Sequence, residues 1–172
     1  MPRPRTLELT SRSVEETQQL GARLGERLAA GDVVGLMGEL GSGKTTFIQG
    51  LAKGLGIDPA QVKSPTFIVM REYPGRVPLI HMDGYRLEGQ QAVVWLDLEW
   101  VFSPKKVTVI EWADRVSGCL PEDYLEIHFA HKRTNLRGLR AIAHGPRSAQ
   151  LIDALEQSAQ SAHETTHEHP RD

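Results

Sequence analysis

Apolar residues fall on two different periods along this chain, and the change of period marks the expected elements. Residues 6–10 (Thr-Leu-Glu-Leu-Thr) alternate and read as a short strand. Ser13-Val-Glu-Glu16 then carries a capping-box pattern in which Glu16 reaches back to the Ser13 amide. Val14, Thr17, Gly21, Leu24 and Leu28 recur at helical spacing, with Arg23, Glu26 and Arg27 off that stripe. This predicts an amphipathic helix to about residue 30, broken at Gly31-Asp32. Residues 33–37 are nearly continuous in apolar character, which suits a strand buried on both faces of a parallel sheet. A helix is expected over residues 45–55, ended by Gly56. Strands are expected at 67–70 and 78–82, and Tyr73-Pro-Gly-Arg76 between them makes an antiparallel pair. Residues 107–110 read as another buried strand, and 124–129 with 139–143 as a closing pair.

Strands interleaved with helices predict an α/β sandwich with a mainly parallel central sheet plus antiparallel strands. One domain over residues 1–147 is expected, followed by a short helix at 148–158 with Leu151, Ile152 and Leu155 on its face. Residues 159–172 have almost no apolar bulk and are expected to form a disordered polar tail.

Composition narrows the class. The chain has 172 residues, 40% hydrophobic and 24% charged, values ordinary for one soluble domain. A formal net charge of −2 argues against a broad electrostatic grip on nucleic acid or anionic membrane. The single cysteine, Cys119, cannot form an internal disulfide. No apolar run is long enough to span a bilayer, and the basic N-terminus has no apolar segment after it, so a cytoplasmic protein is expected.

The chemistry begins where the apolar run 33–37 ends. Gly38, Glu39, Leu40, Gly41, Ser42, Gly43, Lys44 and Thr45 meet the pattern Gly-x-x-x-x-Gly-Lys-[Ser/Thr]. Its glycines let successive backbone amides face phosphate oxygens, and the following helix adds its N-terminal dipole. Lys44 is placed to reach the β- and γ-phosphates and the Thr45 hydroxyl to ligate Mg2+, with Thr46 next in the loop. A glycine turn that merely caps a helix would not require the lysine and threonine. The strand–loop–helix order is that of a P-loop NTPase-like three-layer sandwich.

A nucleotide hydrolase also needs a carboxylate near the metal, at the end of a neighbouring strand. Glu111 closes the apolar run 107–110, and Asp83 follows residues 78–82; each falls at the ligand end of its strand. Either can hold magnesium or position the attacking water, and either can equally be a solvated charge at a strand end. Ser64-Pro-Thr-Phe67 places two hydroxyls, Ser64 and Thr66, just before a strand. Trp112 follows Glu111 and can stack on a base, on a partner, or in the core.

Together these segments resemble the TsaE family, the small bacterial ATPases required for threonylcarbamoyl modification of adenosine 37 in tRNA. The resemblance rests on the phosphate loop continued through Thr46 and Phe47, on Ser64-Pro-Thr-Phe67, on His81-Met-Asp-Gly-Tyr-Arg86 and on Val109-Ile-Glu-Trp112, in order and spacing over roughly residues 5–145. It implies ATP and Mg2+ as ligands, Lys44 as the phosphate lysine, and Thr45 and Glu111 as magnesium residues. Asp83 would lie near the metal, Thr66 in a switch-like loop near the γ-phosphate, and Trp112 beside Glu111 as a residue important for activity. Arg137 would line the nucleotide site on a looser match. The implied partners are TsaB and TsaD homologues, with tRNA reached indirectly through that complex. The chain departs from the family's Asp-Leu-Tyr-Arg in having Gly84, which suggests a more mobile loop. Residues 92–102, with Trp95 and Trp100, match only weakly and carry no role.

The alternative class is a small-molecule kinase on the same fold, which would need an acceptor pocket and an arginine-bearing lid; no arginine-rich segment is present. Guanine selection commonly uses an Asn/Thr-Lys-x-Asp segment, and none occurs.

Overall fold

The computed structural model describes residues 3–39, 41–64, 70–85, 87 and 96–165. In chain order the elements are β1 (Thr6–Ser11), α1 (Val14–Arg27), β2 (Val33–Met37), α2 (Lys44–Gly54), β3 (Met70–Tyr73) and β4 (Leu79–Asp83). There follow a single helical turn α3 (Leu98–Val101), β5 (Val107–Glu111), a 3-10 segment (Ala113–Cys119), β6 (Leu125–Arg133), β7 (Leu136–Ala143) and α4 (Pro146–Thr165). The strands form one seven-stranded sheet in the order β1-β7-β6-β2-β5-β4-β3. Its four central strands pair in parallel, whereas β1, β7 and β3 pair antiparallel at the two sides. The expected α/β sandwich is therefore the observed architecture.

Helices α1, α2 and α4 cover one face of the sheet. There Leu24, Phe47, Ile48, Leu51 and Ile152 meet Val34, Leu36, Val107 and Val109. The other face is covered by α3 and the 3-10 segment, where Val101, Ala113 and Val116 pack on Val33, Met37 and Ile110. The two central strands β2 and β5 are buried along their whole length, which is why they read as continuous apolar runs.

Two glycine pairs set the depth at which α2 sits. Gly21 and Gly25 on α1 face Gly50 and Gly54 on α2, each pair one helical turn apart. A Cβ at Gly25 would fall 2.1 Å from the Leu51 carbonyl oxygen, and one at Gly50 would fall 2.0 Å from that of Gln18. The two backbones therefore touch, as only unsubstituted Cα atoms permit.

Several expectations shift at their ends. Ser13 caps α1 by accepting from the Glu16 amide at 3.0 Å, but Glu16 returns to the Arg12 amide at 2.7 Å, one residue before the one expected. Val14, placed on the apolar stripe, is 55% exposed: it is the first residue of α1 and lines a cavity with Gly41 and Gly43 instead of packing in the core. Helix α4 runs Pro146–Thr165, beyond the short helix expected at 148–158 and through the first half of the supposed tail. Residues 159–165 contain no glycine or proline, and Ala159 and Ala162 favour helix even where nothing apolar needs burial. Positions 67–69 of the strand expected at 67–70 lie outside the described residues, as do 166–172.

Candidate active site

The parallel strands β2, β4 and β5 end side by side, and their carboxyl ends supply the site. Asp83 and Glu111 are register partners across β4 and β5, so both strand-end carboxylates emerge together. β2 ends one residue before Gly38, where the chain turns through Gly38 (φ 144°), Gly41 (φ 78°) and Gly43 (φ 107°) into α2. That left-handed Gly43 lets the backbone swing so that the first turn of α2 faces the strand ends.

Lys44 and Thr45 open α2, and both line the cavity above the strand ends. Lys44 is buried, and its ammonium donates to the Gly38 carbonyl and, at 2.9 Å, to that of Glu39. It also lies 4.3 Å from the centre of the Trp112 ring. Burial pulls its ammonium below the usual lysine range, although Glu111 and Asp83 pull the other way. The Thr45 hydroxyl donates to Glu111 Oε1 at 3.0 Å. The second Glu111 oxygen, Oε2, meets His81 Nε2 at 2.8 Å and the Ser64 hydroxyl at 3.4 Å. Burial alone would raise the Glu111 carboxyl, but His81, the Thr45 hydroxyl and Lys44 outweigh it and hold it below the usual range. Asp83 accepts from Ser64 at 3.3 Å and from the Tyr85 amide at 2.8 Å.

On the far side of Glu111 the backbone turns sharply. Trp112 has φ 56° and ψ 43°, a left-handed conformation that a bulky residue adopts only when its surroundings enforce it. Its ring meets the edge of Tyr85 at 5.0 Å, and the Arg115 guanidinium lies over both rings. Gly84 passes under this turn: its amide donates to the Glu111 carbonyl at 2.8 Å, and a Cβ there would fall 2.7 Å from the Trp112 carbonyl oxygen. The Gly84 departure thus serves a close backbone approach.

A cavity of about 520 Å³ opens over these groups, lined by Gly41, Gly43, Lys44, Thr45, Thr46, Ser64, Asp83, Tyr85, Glu111 and Trp112. Val14, Asn135 and Arg137 line it as well, with the Arg137 side chain beside Gly43. That volume is ample for a nucleotide. Of the residues expected from sequence, Lys44, Thr45, Thr46, Asp83, Glu111, Trp112 and Arg137 line this one cavity. Gly38 and Glu39 contribute carbonyls to Lys44, and Ser42 stands buried behind it. Leu40, Thr66 and Arg86 lie outside the described residues.

The donor set fits magnesium in part. Thr45, Glu111, Asp83 and Ser64 present hard oxygens within one another's reach. Among the described residues no group of three or more His, Cys, Asp or Glu forms a metal cage. Magnesium rarely needs one, since it keeps waters and borrows phosphate oxygens. The residues fit a metal that arrives with a nucleotide.

Comparison with known proteins agrees with this geometry. The model of the family described as threonylcarbamoyl adenosine biosynthesis protein TsaE matches residues 11–139, a span that holds every residue of the site. The chain belongs to the TsaE family. The TsaE protein of Bacillus subtilis is 39% identical over 142 residues, covering 82% of this chain and 88% of that protein. The TsaE protein of a Nostoc species is 46% identical over 118 residues, covering 66% of this chain and 71% of its own length. The crystal structure of YdiB from Bacillus subtilis superimposes with a TM-score of 0.77 at 32% identity, over 91% of this chain and 98% of that one. Among the described residues no helix is long and apolar enough to cross a membrane.

His81, 2.8 Å from the Glu111 carboxylate, is the residue beside the site that sequence reasoning left without a role. The available signal was parity: on a strand, 81 shares a face with 83, so a histidine there lies on the same face as Asp83.

Proposed function

We propose that this TsaE-family chain binds ATP with Mg2+ and hydrolyses it as the switch component of the tRNA threonylcarbamoyladenosine machinery, together with TsaB and TsaD homologues. One observation carries the hydrolytic part of this reading: Thr45, at the head of the helix after the phosphate loop, is hydrogen-bonded at 3.0 Å to Glu111 at the end of the adjacent strand. That pairing of a loop hydroxyl with a strand-end carboxylate is what a magnesium–triphosphate site needs. Magnesium, when bound there, would neutralise charge on the β- and γ-phosphates. Lys44 would exchange the carbonyls of Gly38 and Glu39 for phosphate oxygens. Asp83 and Glu111 would orient the water whose oxygen attacks the γ-phosphorus as the bond to ADP breaks. Ser64, which touches both carboxylates, joins the segment containing Thr66 to the site and so provides a route for a γ-phosphate-dependent switch. The placement in tRNA modification rests on family membership.

Hydrolysis by the isolated chain is expected to be slow, because no arginine is assigned to the transferring phosphoryl group. The test measures ATP turnover with and without the TsaB–TsaD pair, for wild type, Lys44→Ala and Glu111→Ala. A gain on adding the pair, and a loss of 100-fold or more, roughly, in either variant, is expected. Wild-type rates in both variants would sink the site, and fast turnover with no gain from the pair would sink the coupling.

A further inference from the structure

His81 is fully buried in β4, between Ile80 and Met82, which are also buried. A histidine in such a place is held by its partners, and only one of its two nitrogens has one. Nε2 lies 2.8 Å from Glu111 Oε2, while Nδ1 has no partner among the described residues. A buried N–H without an acceptor costs more than a buried lone pair on an imidazole, so the tautomer that fits carries its proton on Nε2 and donates it to Glu111. The carboxylate then has two unequal oxygens. Oε2 is engaged by His81 and Ser64 from the sheet side. Oε1 faces Thr45 and the cavity.

We infer that His81 is a positioning residue: it fixes the Glu111 carboxylate so that Oε1 alone is presented, beside the Thr45 hydroxyl, to the metal of a bound metal–nucleotide complex. The role presupposes the magnesium reading given above. Its physical basis is entropic and directional. An unrestrained glutamate at a strand end samples several rotamers, and a ligand that must be found costs affinity each time. A carboxylate locked by a donor behind it has that cost removed before the metal arrives, and a hydrogen bond to the far oxygen also sets which lone pair points forward. His81 is not among the residues lining the cavity, so a nucleotide held there would not touch it. A loss of His81 should therefore weaken the metal-dependent part of nucleotide binding.

Calorimetric titration with ADP, in excess Mg2+ and again in excess EDTA, gives the ratio of the two affinities for wild type, His81→Gln, His81→Asn and His81→Leu. Glutamine keeps an N–H near the place of Nε2, asparagine keeps one near Nδ1, and leucine keeps neither. Thermal unfolding of each protein without ligand reports folding separately. The expected result is a magnesium gain in His81→Gln within about threefold of wild type, and a gain lowered about tenfold or more in His81→Asn and His81→Leu. Should the leucine variant not fold, the glutamine–asparagine pair decides alone. Equal gains in glutamine and asparagine variants, or the same loss of affinity in EDTA as in Mg2+, would overturn the positioning role. A wild-type protein that binds ADP but gains nothing from Mg2+ would overturn the magnesium reading itself, and this role with it.

Discussion

Lys44 in this structure satisfies its charge with the carbonyls of its own loop and the face of Trp112, 4.3 Å from the ring centre. Both are places a phosphate would draw it from, since a charge-assisted bond to a phosphate oxygen is stronger than one to a neutral carbonyl. Nucleotide binding should therefore remove the ammonium from the indole. Of the two tryptophans among the described residues, Trp100 and Trp112, only Trp112 lines the cavity. We expect a change in intrinsic fluorescence when ADP and Mg2+ are added, absent in Trp112→Phe and retained in Trp100→Phe. An unchanged signal in Trp112→Phe would place the reporter elsewhere. At this scale the sequence pattern identified the loop, both strand-end carboxylates and Trp112, because each is tied to a motif or a strand end. It gave no sign of the left-handed backbone at Trp112, which follows from the turn that Gly84 passes under. Nor did it weigh His81, whose chemistry appears only once β4 and β5 are in register.

Helix α2 carries Lys44 and Thr45 at its first turn, so the site inherits its position from the packing of α2 on α1. The facing pairs Gly21/Gly25 and Gly50/Gly54 allow backbone contact over two turns. A methyl group at Gly25 or Gly50 cannot be absorbed by a side-chain rotation, since what it meets is a carbonyl oxygen. Gly50→Ala and Gly25→Ala should each cost about 1–3 kcal/mol, near the upper end, despite the better helix propensity of alanine. Chemical denaturation measures that loss; a neutral or stabilising alanine would show that the helices can separate freely. Both variants should also bind ADP more weakly, as α2 is pushed outward with its loop. In the sequence Gly21 was visible as part of the α1 stripe, whereas Gly50 and Gly54 on α2 carried no expectation. Element identity was legible where period and burial agree, as in β2 and β5, but the short turn Leu98–Val101 and the 3-10 segment Ala113–Cys119 carried no such pattern, and Tyr73, read as turn, ends β3. Element ends were less so: α4 outlasts its apolar face, since its length follows from propensity and the absence of a breaker rather than from burial.

At the scale of the whole molecule, α4 closes the fold by clamping distant segments. Leu151, Ile152 and Leu155 enter the core shared with α1, and Arg147 forms a fork on Asp32 at 2.8 and 2.9 Å just before β2. Its first turn is held by a residue far away in sequence. Asp123 accepts from the Arg147 amide at 2.8 Å, the Ser148 amide at 3.1 Å and the Ser148 hydroxyl at 2.6 Å. Gly145 occupies the usual capping position without a side chain, and a Cβ there would fall 2.3 Å from the Asp123 carboxyl carbon. Asp123 is thus a cap supplied in trans by the loop before β6, invisible to any local pattern around residue 146. Burial would raise its carboxyl, yet the bonds from Ser148 and Arg147 more than offset this and hold it below the ordinary aspartate range. The sign of the pH dependence follows. A carboxyl whose folded pKa is depressed contributes stability that is fully present above the unfolded value, about 3.9. That contribution is lost as pH falls from there through the lower folded value. Asp123→Ala should therefore cost about 1 kcal/mol at neutral pH, the usual worth of a helix cap. The gap between wild type and variant should stay constant from neutral pH down to about pH 5 and narrow below it, as the wild-type carboxyl takes up its proton. Denaturant midpoints for the two proteins across that range provide the measurement, and a gap that persists unchanged well below pH 3, roughly, would mean the carboxylate's charge contributes nothing to holding α4.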